Sequence, residues 1–166
     1  MEPVRIRKPR PGDGPALARM HRANAAYASL APDLFRVPDE EGQEEFCEPR
    51  PEDNDGETTF AAVAEVGGEL AGYLEARIEP PLDSARWQSN PDLAQPRLYI
   101  NYVGTADAFK RRGVATKLVE AAEDWGRARG AAVAVCDTWL GSELSMPFWE
   151  LRMGYTRKSV IFRKQL

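Results

Sequence analysis

At 166 residues the chain has the length of one ordinary domain, and 43% hydrophobic residues suffice for a packed core, which excludes a disordered chain. Its net charge of −4 with only isolated basic spots argues against a nucleic-acid groove. No apolar run approaches the ~20 residues that span a bilayer, and Met1 to Lys8 reads as no apolar leader, so a cytoplasmic protein with no membrane partner is expected.

Val4 to Arg7 alternates apolar and charged residues and reads as a first strand, stopped by Pro9, Pro11 and Gly12. Asp13 is a candidate helix cap, with Pro15 in the first turn. Ala16, Leu17, Met20, Ala23, Ala26 and Tyr27 recur at helical spacing and predict a helix to about Leu30. Residues 31–57 are rich in Pro, Gly and acidic side chains and read as a long loop, with a short helix over Glu40–Cys47 as an option. From Asp39 to Glu57 there are ten acidic residues and one Arg. That run reads either as a solvated flexible loop or as a surface that steers cations.

Thr58–Val66 and Leu70–Ile78 read as two strands joined by a tight turn at Gly67-Gly68. Residues 81–96 form a second loop. Leu98–Val103 is an apolar and aromatic strand, and Gly104–Phe109 a turn region. Gly113–Arg129 is an amphipathic helix with Val114, Leu118, Ala122 and Trp125 on one face and Gly130 at its end. Ala131–Val135 is a buried-type strand running on to about Trp139. Ser142 caps a short helix to Arg152, with Pro147 as a kink or early-turn residue, and Tyr155–Arg163 is a final strand. The order predicts one mixed α/β domain over residues 1–166, hairpin-linked in front and strand–helix–strand behind.

Cys47 and Cys136 match no metal-ligand spacing and read as small reduced side chains. A zinc site or a Ser-His-Asp triad would rest on His21 alone, so no metal is expected. The chemistry is carried by the strand that leads into Lys110, Arg111, Arg112, Gly113, Val114 and Ala115, which open a helix. A helix N-terminus presents unpaired N–H groups and partial positive charge. Gly113 and Ala115 let an anion approach, and three cations stand beside them. A solvated basic turn is the plain alternative. The dinucleotide and NTPase phosphate loops fail, because neither glycine pattern is present.

Lys110–Ala115 is similar to the Arg/Gln-x-x-Gly-x-Gly/Ala signature of the GNAT superfamily of acyl-CoA-dependent N-acyltransferases. Phe148–Tyr155 resembles that family's later Phe-Tyr-x-x-x-Gly-Phe element. The resemblance runs from about residue 97 onward. It implies a mostly antiparallel central sheet, flanked by helices and splayed between its fourth and fifth strands. The pantetheine of acetyl-CoA would pair with backbone at Val103, Gly104 and Thr105 like an added strand. Its pyrophosphate would sit on the amides from Arg111 to Thr116. Ser142 stands where the family often has an Asn that touches pantetheine. The partners implied are acetyl-CoA and a small amine or peptide acceptor, cationic if the acidic run steers it. A homodimer is compatible with the family.

Three departures stand out. Lys110 replaces the usual Arg or Gln. Trp149 replaces the usual late Tyr, and indole supplies no proton at useful pH, so Trp149 reads as packing. Glu150–Met153 is one residue longer than the common spacing, and the twelve residues after Gly154 imply a curtailed terminal hairpin. Acid and base must then come from elsewhere. Tyr99, where some relatives carry a base, and Glu75 are the candidate catalytic residues, with Asp137 in reach. On a regular strand Tyr99 shares a face with Asn101 and Val103, while Tyr102 points into the core. A non-catalytic acyl-CoA-binding module on the same fold is the rival expectation, and an interaction protein using the acidic run for a basic partner is a second.

Overall fold

The computed structural model describes residues 2–28 and 36–164. Five strands form one sheet in chain order: β1 (Arg5–Arg7), β2 (Thr59–Val66), β3 (Glu69–Glu79), β4 (Arg97–Thr105) and β5 (Val133–Cys136). The first four pair antiparallel, and β5 lies parallel to β4. Helix α1 (Gly14–Ala28) covers one face with the short α2 (Gln43–Phe46), and α3 (Val114–Ala128) covers the other. This is the mixed α/β architecture that the element order predicts, with the mostly antiparallel sheet that the resemblance implies.

The α3 face is the larger core. Leu74, Leu98, Leu118 and Val119 are each no more than 1% exposed and pack with Ala62, Ile100 and Val114. The helical stripe expected for α3 supplies Val114, Leu118 and Ala122. Gly126 brings α3 close to β4: a Cβ there would stand 3.2 Å from Leu98. Trp125 stacks on Phe60, with ring centroids 5.2 Å apart.

The α1 face is mixed. Leu17, Met20, Ala61 and Val63 are apolar, but Tyr73, Tyr102 and Cys47 pack with them. Charge anchors α1 to the sheet. The Arg7 guanidinium meets Asp13 at 2.7 and 2.9 Å and Glu65 at 2.6 Å. Burial raises the Asp13 carboxyl, but its bonds from Arg7 and the Arg10 amide outweigh that and hold it below the ordinary carboxylate range. Asp13 is therefore not the side-chain cap expected of it. Glu48 does that work from far along the chain, accepting from the amides of Gly12 and Gly14 at 2.5 and 3.0 Å.

Other acidic side chains of the run are also spent on local order. Asp53 accepts from the Arg50 amide at 2.8 Å, and Asp55 accepts from the amides of Glu57, Thr58 and Thr59. Within the described part, 36–57, the expected loop holds α2 and a 3-10 turn at Pro51–Asn54. Residues 31–35, and the predicted end of α1 near Leu30, lie outside the described residues.

Expectations also fail toward the C-terminal end, where β5 stops at Cys136 instead of running on to about Trp139. Residues 155–164 form no strand; Ile161 and Phe162 are 83% and 92% exposed. The run Val160-Ile161-Phe162 has strand propensity, yet pairing needs a neighbour, and among the described residues β4 alone pairs with β5. The last predicted helix is shorter than expected: α4 (Ser145–Pro147) passes into a π turn over Phe148–Arg152, with the Met153 amide donating to the Phe148 carbonyl at 3.0 Å. A π turn is the helical way to hold one added residue, which matches the long spacing of this segment.

Candidate active site

Two features of β4 make the site. The first is a fork. Pairing with β5 ends at Ile100 and Cys136, while β4 continues to Thr105. Along 101–105 its β5-side edge is unpaired among the described residues, so the sheet splays there. The second is a bulge. Ala76 faces Ile100 and Glu75 faces Tyr102, which leaves Asn101 as the extra residue.

The bulge overturns the face assignment expected of a regular strand. Val103 packs with the α3 core beside Leu98 and Ile100. Tyr102 joins the α1 side, opposite Glu75. There Glu75 accepts from the Tyr73 hydroxyl at 2.8 Å, and the Tyr73 and Tyr102 rings are 6.2 Å apart. Asn24 of α1 meets the Tyr102 hydroxyl at 3.2 Å, and the His21 ring stands edge-on to Tyr102 at 5.5 Å. Burial, with Glu75 adding to it, drives the phenol pKa values of Tyr73 and Tyr102 upward and keeps both protonated. Sequence reading gave Tyr73, Tyr102, His21 and Asn24 no place in the site. The only available signal was polar and aromatic side chains on strands that a purely apolar core would not use.

Tyr99 sits elsewhere on this face. Its hydroxyl donates to Asp137, just past the end of β5, and the Arg77 guanidinium lies 4.2 Å above its ring. That hydrogen bond, with burial second, pushes the phenol up to about 12. The pair latches β4 to β5 one step before the fork. Tyr99 and Glu75 therefore do not meet: the cross-strand partner of Tyr99 is Arg77, and that of Glu75 is Tyr102.

Beyond the fork the chain passes a 3-10 turn at Asp107–Phe109 and enters α3. Arg111 has φ 64° and Gly113 φ 78°. A non-glycine residue held in the left-handed region costs about 1–2 kcal/mol, a strain that clusters at binding sites. Alternating backbone of this kind turns successive N–H groups to one side, as in anion-binding nests. No side chain caps α3, and a Cβ at Gly113 would meet nothing within 4 Å. The cradle is thus open and rich in donors, which fits a diphosphate. Lys110 pairs with Asp107 at 2.6 Å, while the Arg111 and Arg112 side chains are exposed. Val114 is core, Ala115 is half-buried, and the Thr116 hydroxyl accepts from Arg152 at 3.3 Å.

Gly104 is buried on the α1 side, where a Cβ would strike the Tyr102 hydroxyl and the Asn24 amide. Thr105 ends β4 opposite Gly72. Ser142 accepts from the amide of Ser145, the first residue of α4, at 3.0 Å, but the cap position belongs to Leu144 and not, as expected, to Ser142. Trp149 is 6% exposed and packs between Phe148 and Tyr155, a structural residue. Cys47 and Cys136 are unpaired, and burial pushes the Cys136 thiol up to about 12. Among the described residues no His, Cys, Asp or Glu group is placed to hold a metal, and no helix is long and apolar enough to cross a membrane.

Comparison with known proteins agrees with this geometry. A family model described as "Acetyltransferase (GNAT) family" matches residues 23–155. N-alpha-acetyltransferase 30 of Schizosaccharomyces pombe is 34% identical over 70 residues, which are 42% of this chain and 46% of that protein. The match thus spans under half of that curated relative. Among solved structures, a transcriptional regulator from Bacillus halodurans C-125 superposes with TM-score 0.71 at 20% identity, over 99% of this chain and 100% of that one. The aminoglycoside acetyltransferase AAC(6')-Iy, in complex with the bisubstrate analog CoA-S-monomethyl-acetylneamine, superposes with TM-score 0.65 at 16% identity over 99% of each chain. At such identities these structures speak to the fold.

Proposed function

The chain belongs to the GNAT acetyltransferase family, and from that premise we propose that it moves an acetyl group from acetyl-CoA to a primary amine of a small molecule or peptide by direct attack. The observation that carries the reading is the open, donor-rich backbone at Arg111 and Gly113, placed at the end of a strand whose edge is free. The amides from Arg111 to Thr116 would hold the diphosphate, with the Arg111 and Arg112 side chains adding charge. The free edge at Val103–Thr105 would hold the pantetheine by strand-like bonds.

Acetyl-CoA supplies the acyl group as a thioester. An alkylammonium is no nucleophile until it loses a proton. Glu75 takes that proton, directly or through a water, from the α1 side. The neutral amine then attacks the thioester carbonyl; the C–N bond forms, the C–S bond breaks, and the second proton of the attacking nitrogen passes to the departing thiolate, leaving an amide and free CoA, while Glu75 releases the first proton to water. A backbone N–H near Val103 stabilises the oxyanion. Tyr99, with its pKa raised to about 12, keeps its proton at neutral pH. We assign it as the latch that fixes the width of the fork rather than as the base.

Release of free thiol from acetyl-CoA across a panel of amines tests this reading. Turnover of at least one amine is expected. Binding of acetyl-CoA with no turnover of any amine would favour the binding-module reading, for which Trp149 at the usual Tyr position is the argument.

A further inference from the structure

A cavity of about 280 Å³ opens between α1 and α2, with His21, Asp39, Glu41, Gln43 and Phe46 in its lining. Gln43 is 5% exposed. Its amide nitrogen reaches His21 Nδ1 at 3.4 Å, yet its carbonyl Oε1 finds no donor among the described residues. A buried carbonyl loses its water without gaining a partner, so this oxygen marks a place where a donor belongs.

The rest of the lining states what kind of donor. Asp39 and Glu41 are exposed, and their side chains make no hydrogen bond or ion pair among the described residues. Arg22, the cation of α1 that reaches this segment, is committed to the Pro38 carbonyl at 2.6 Å and to Glu40 at 3.9 Å. The exposed Phe46 ring adds an apolar wall and a π face. One buried neutral acceptor, two unpaired carboxylates and an aromatic ring fit an alkylammonium: three N–H donors and one positive charge on a short apolar stem. A chain of side-chain contacts runs from the cavity wall toward the proposed base. His21 is shared between that wall and the edge-on contact with Tyr102, which faces Glu75 across the strand pair.

We propose that this pocket binds a second, non-reacting ammonium of the acceptor, so that the preferred substrates are small polycationic amines rather than monoamines. The inference rests on the acetyl-transfer reading above and names its substrate class. Gln43 and the two carboxylates act on recognition and leave the chemical step to Glu75.

The test compares 1,4-diaminobutane with n-butylamine as acceptors. The wild-type protein is expected to prefer the diamine at least tenfold in kcat/KM. The double variant Asp39→Asn, Glu41→Gln alters only exposed side chains and is expected to lower that preference about tenfold, through the diamine KM. Gln43→Met is expected to lower it further, and Gln43→Glu to restore it. A preference that is absent in the wild type, or unmoved by these variants, overturns the pocket. A separate arm needs no turnover: the His21 ring resonances are followed by NMR while 1,4-diaminobutane is added. A saturable shift that the double variant loses supports the pocket even if no amine is acetylated, in which case the transfer reading alone has failed. No shift overturns the pocket, whatever the turnover.

Discussion

The two faces of the sheet are built on different physics. Toward α3 the strands present Leu74, Ile100 and Val103 to an apolar helix stripe, and the interior is close-packed. Toward α1 the same strands present Tyr73, Glu75, Tyr99 and Tyr102, and the helix is tied on by Arg7, Asp13 and Glu48. The first face holds the fold and carries the loop proposed for the diphosphate. The second gives up packing for polar groups poised around a carboxylate. Alternation along a strand makes this division possible, and one bulge at Asn101 sets its register.

Adjacent residues of β3 should therefore fail in opposite ways. Leu74→Ala removes a side chain with no exposure and should cost about 4 kcal/mol of stability, read by denaturant unfolding, with acetyl transfer intact in the folded fraction. Asp13→Asn removes one of the two carboxylates that hold Arg7, leaving Glu65, and should cost about 2 kcal/mol. Its pH dependence carries a sign. The Asp13 pKa is depressed in the folded state, so its contribution is present above the unfolded value of about 3.9 and is lost as pH falls through the folded value. The gap between wild type and variant should thus be constant from pH 5 to 7 and close below about pH 4.

Glu75→Gln should leave stability nearly unchanged and lower kcat about 100-fold, equivalent to ~2.7 kcal/mol. A mutant that unfolded instead would erase the contrast between the faces. Gly113→Ala keeps open space around the new methyl but forces Ala to φ 78°, and should weaken CoA binding about tenfold in a calorimetric titration. Gly130→Ala makes the same backbone demand at the other end of α3, where it should cost stability but no CoA affinity. Tyr99→Phe, the mildest change, removes one hydrogen bond and should cost about 1 kcal/mol in stability, with a few-fold loss of kcat/KM as the fork loosens.

The α3 face was legible in the sequence because its signals are local. Gly67-Gly68 closes the β2–β3 hairpin, and a 3.6-residue stripe defines α3. In the loop proposed for the diphosphate the glycine and basic residues likewise stand in one short run. The α1 face was not legible, because its decisive features are long-range. Nothing near Asn101 announces a bulge, so Tyr102 fell on the wrong side. Nothing near Asp13 shows that Glu48, 34 residues from Gly14, would cap the helix. The segment Tyr155–Arg163 carries the β-branched and aromatic run Val160-Ile161-Phe162 but lacks a neighbour to complete a strand.

The central claim is that the main-chain amides at the start of α3 grip the diphosphate of CoA. Amide hydrogen exchange with and without saturating CoA tests it directly. Exchange over 111–116 should slow at least tenfold, and 103–105 should follow, while α2 stays unchanged. Uniform exchange over 103–116 in the two samples, at a CoA concentration that saturates any heat of binding, would contradict the account.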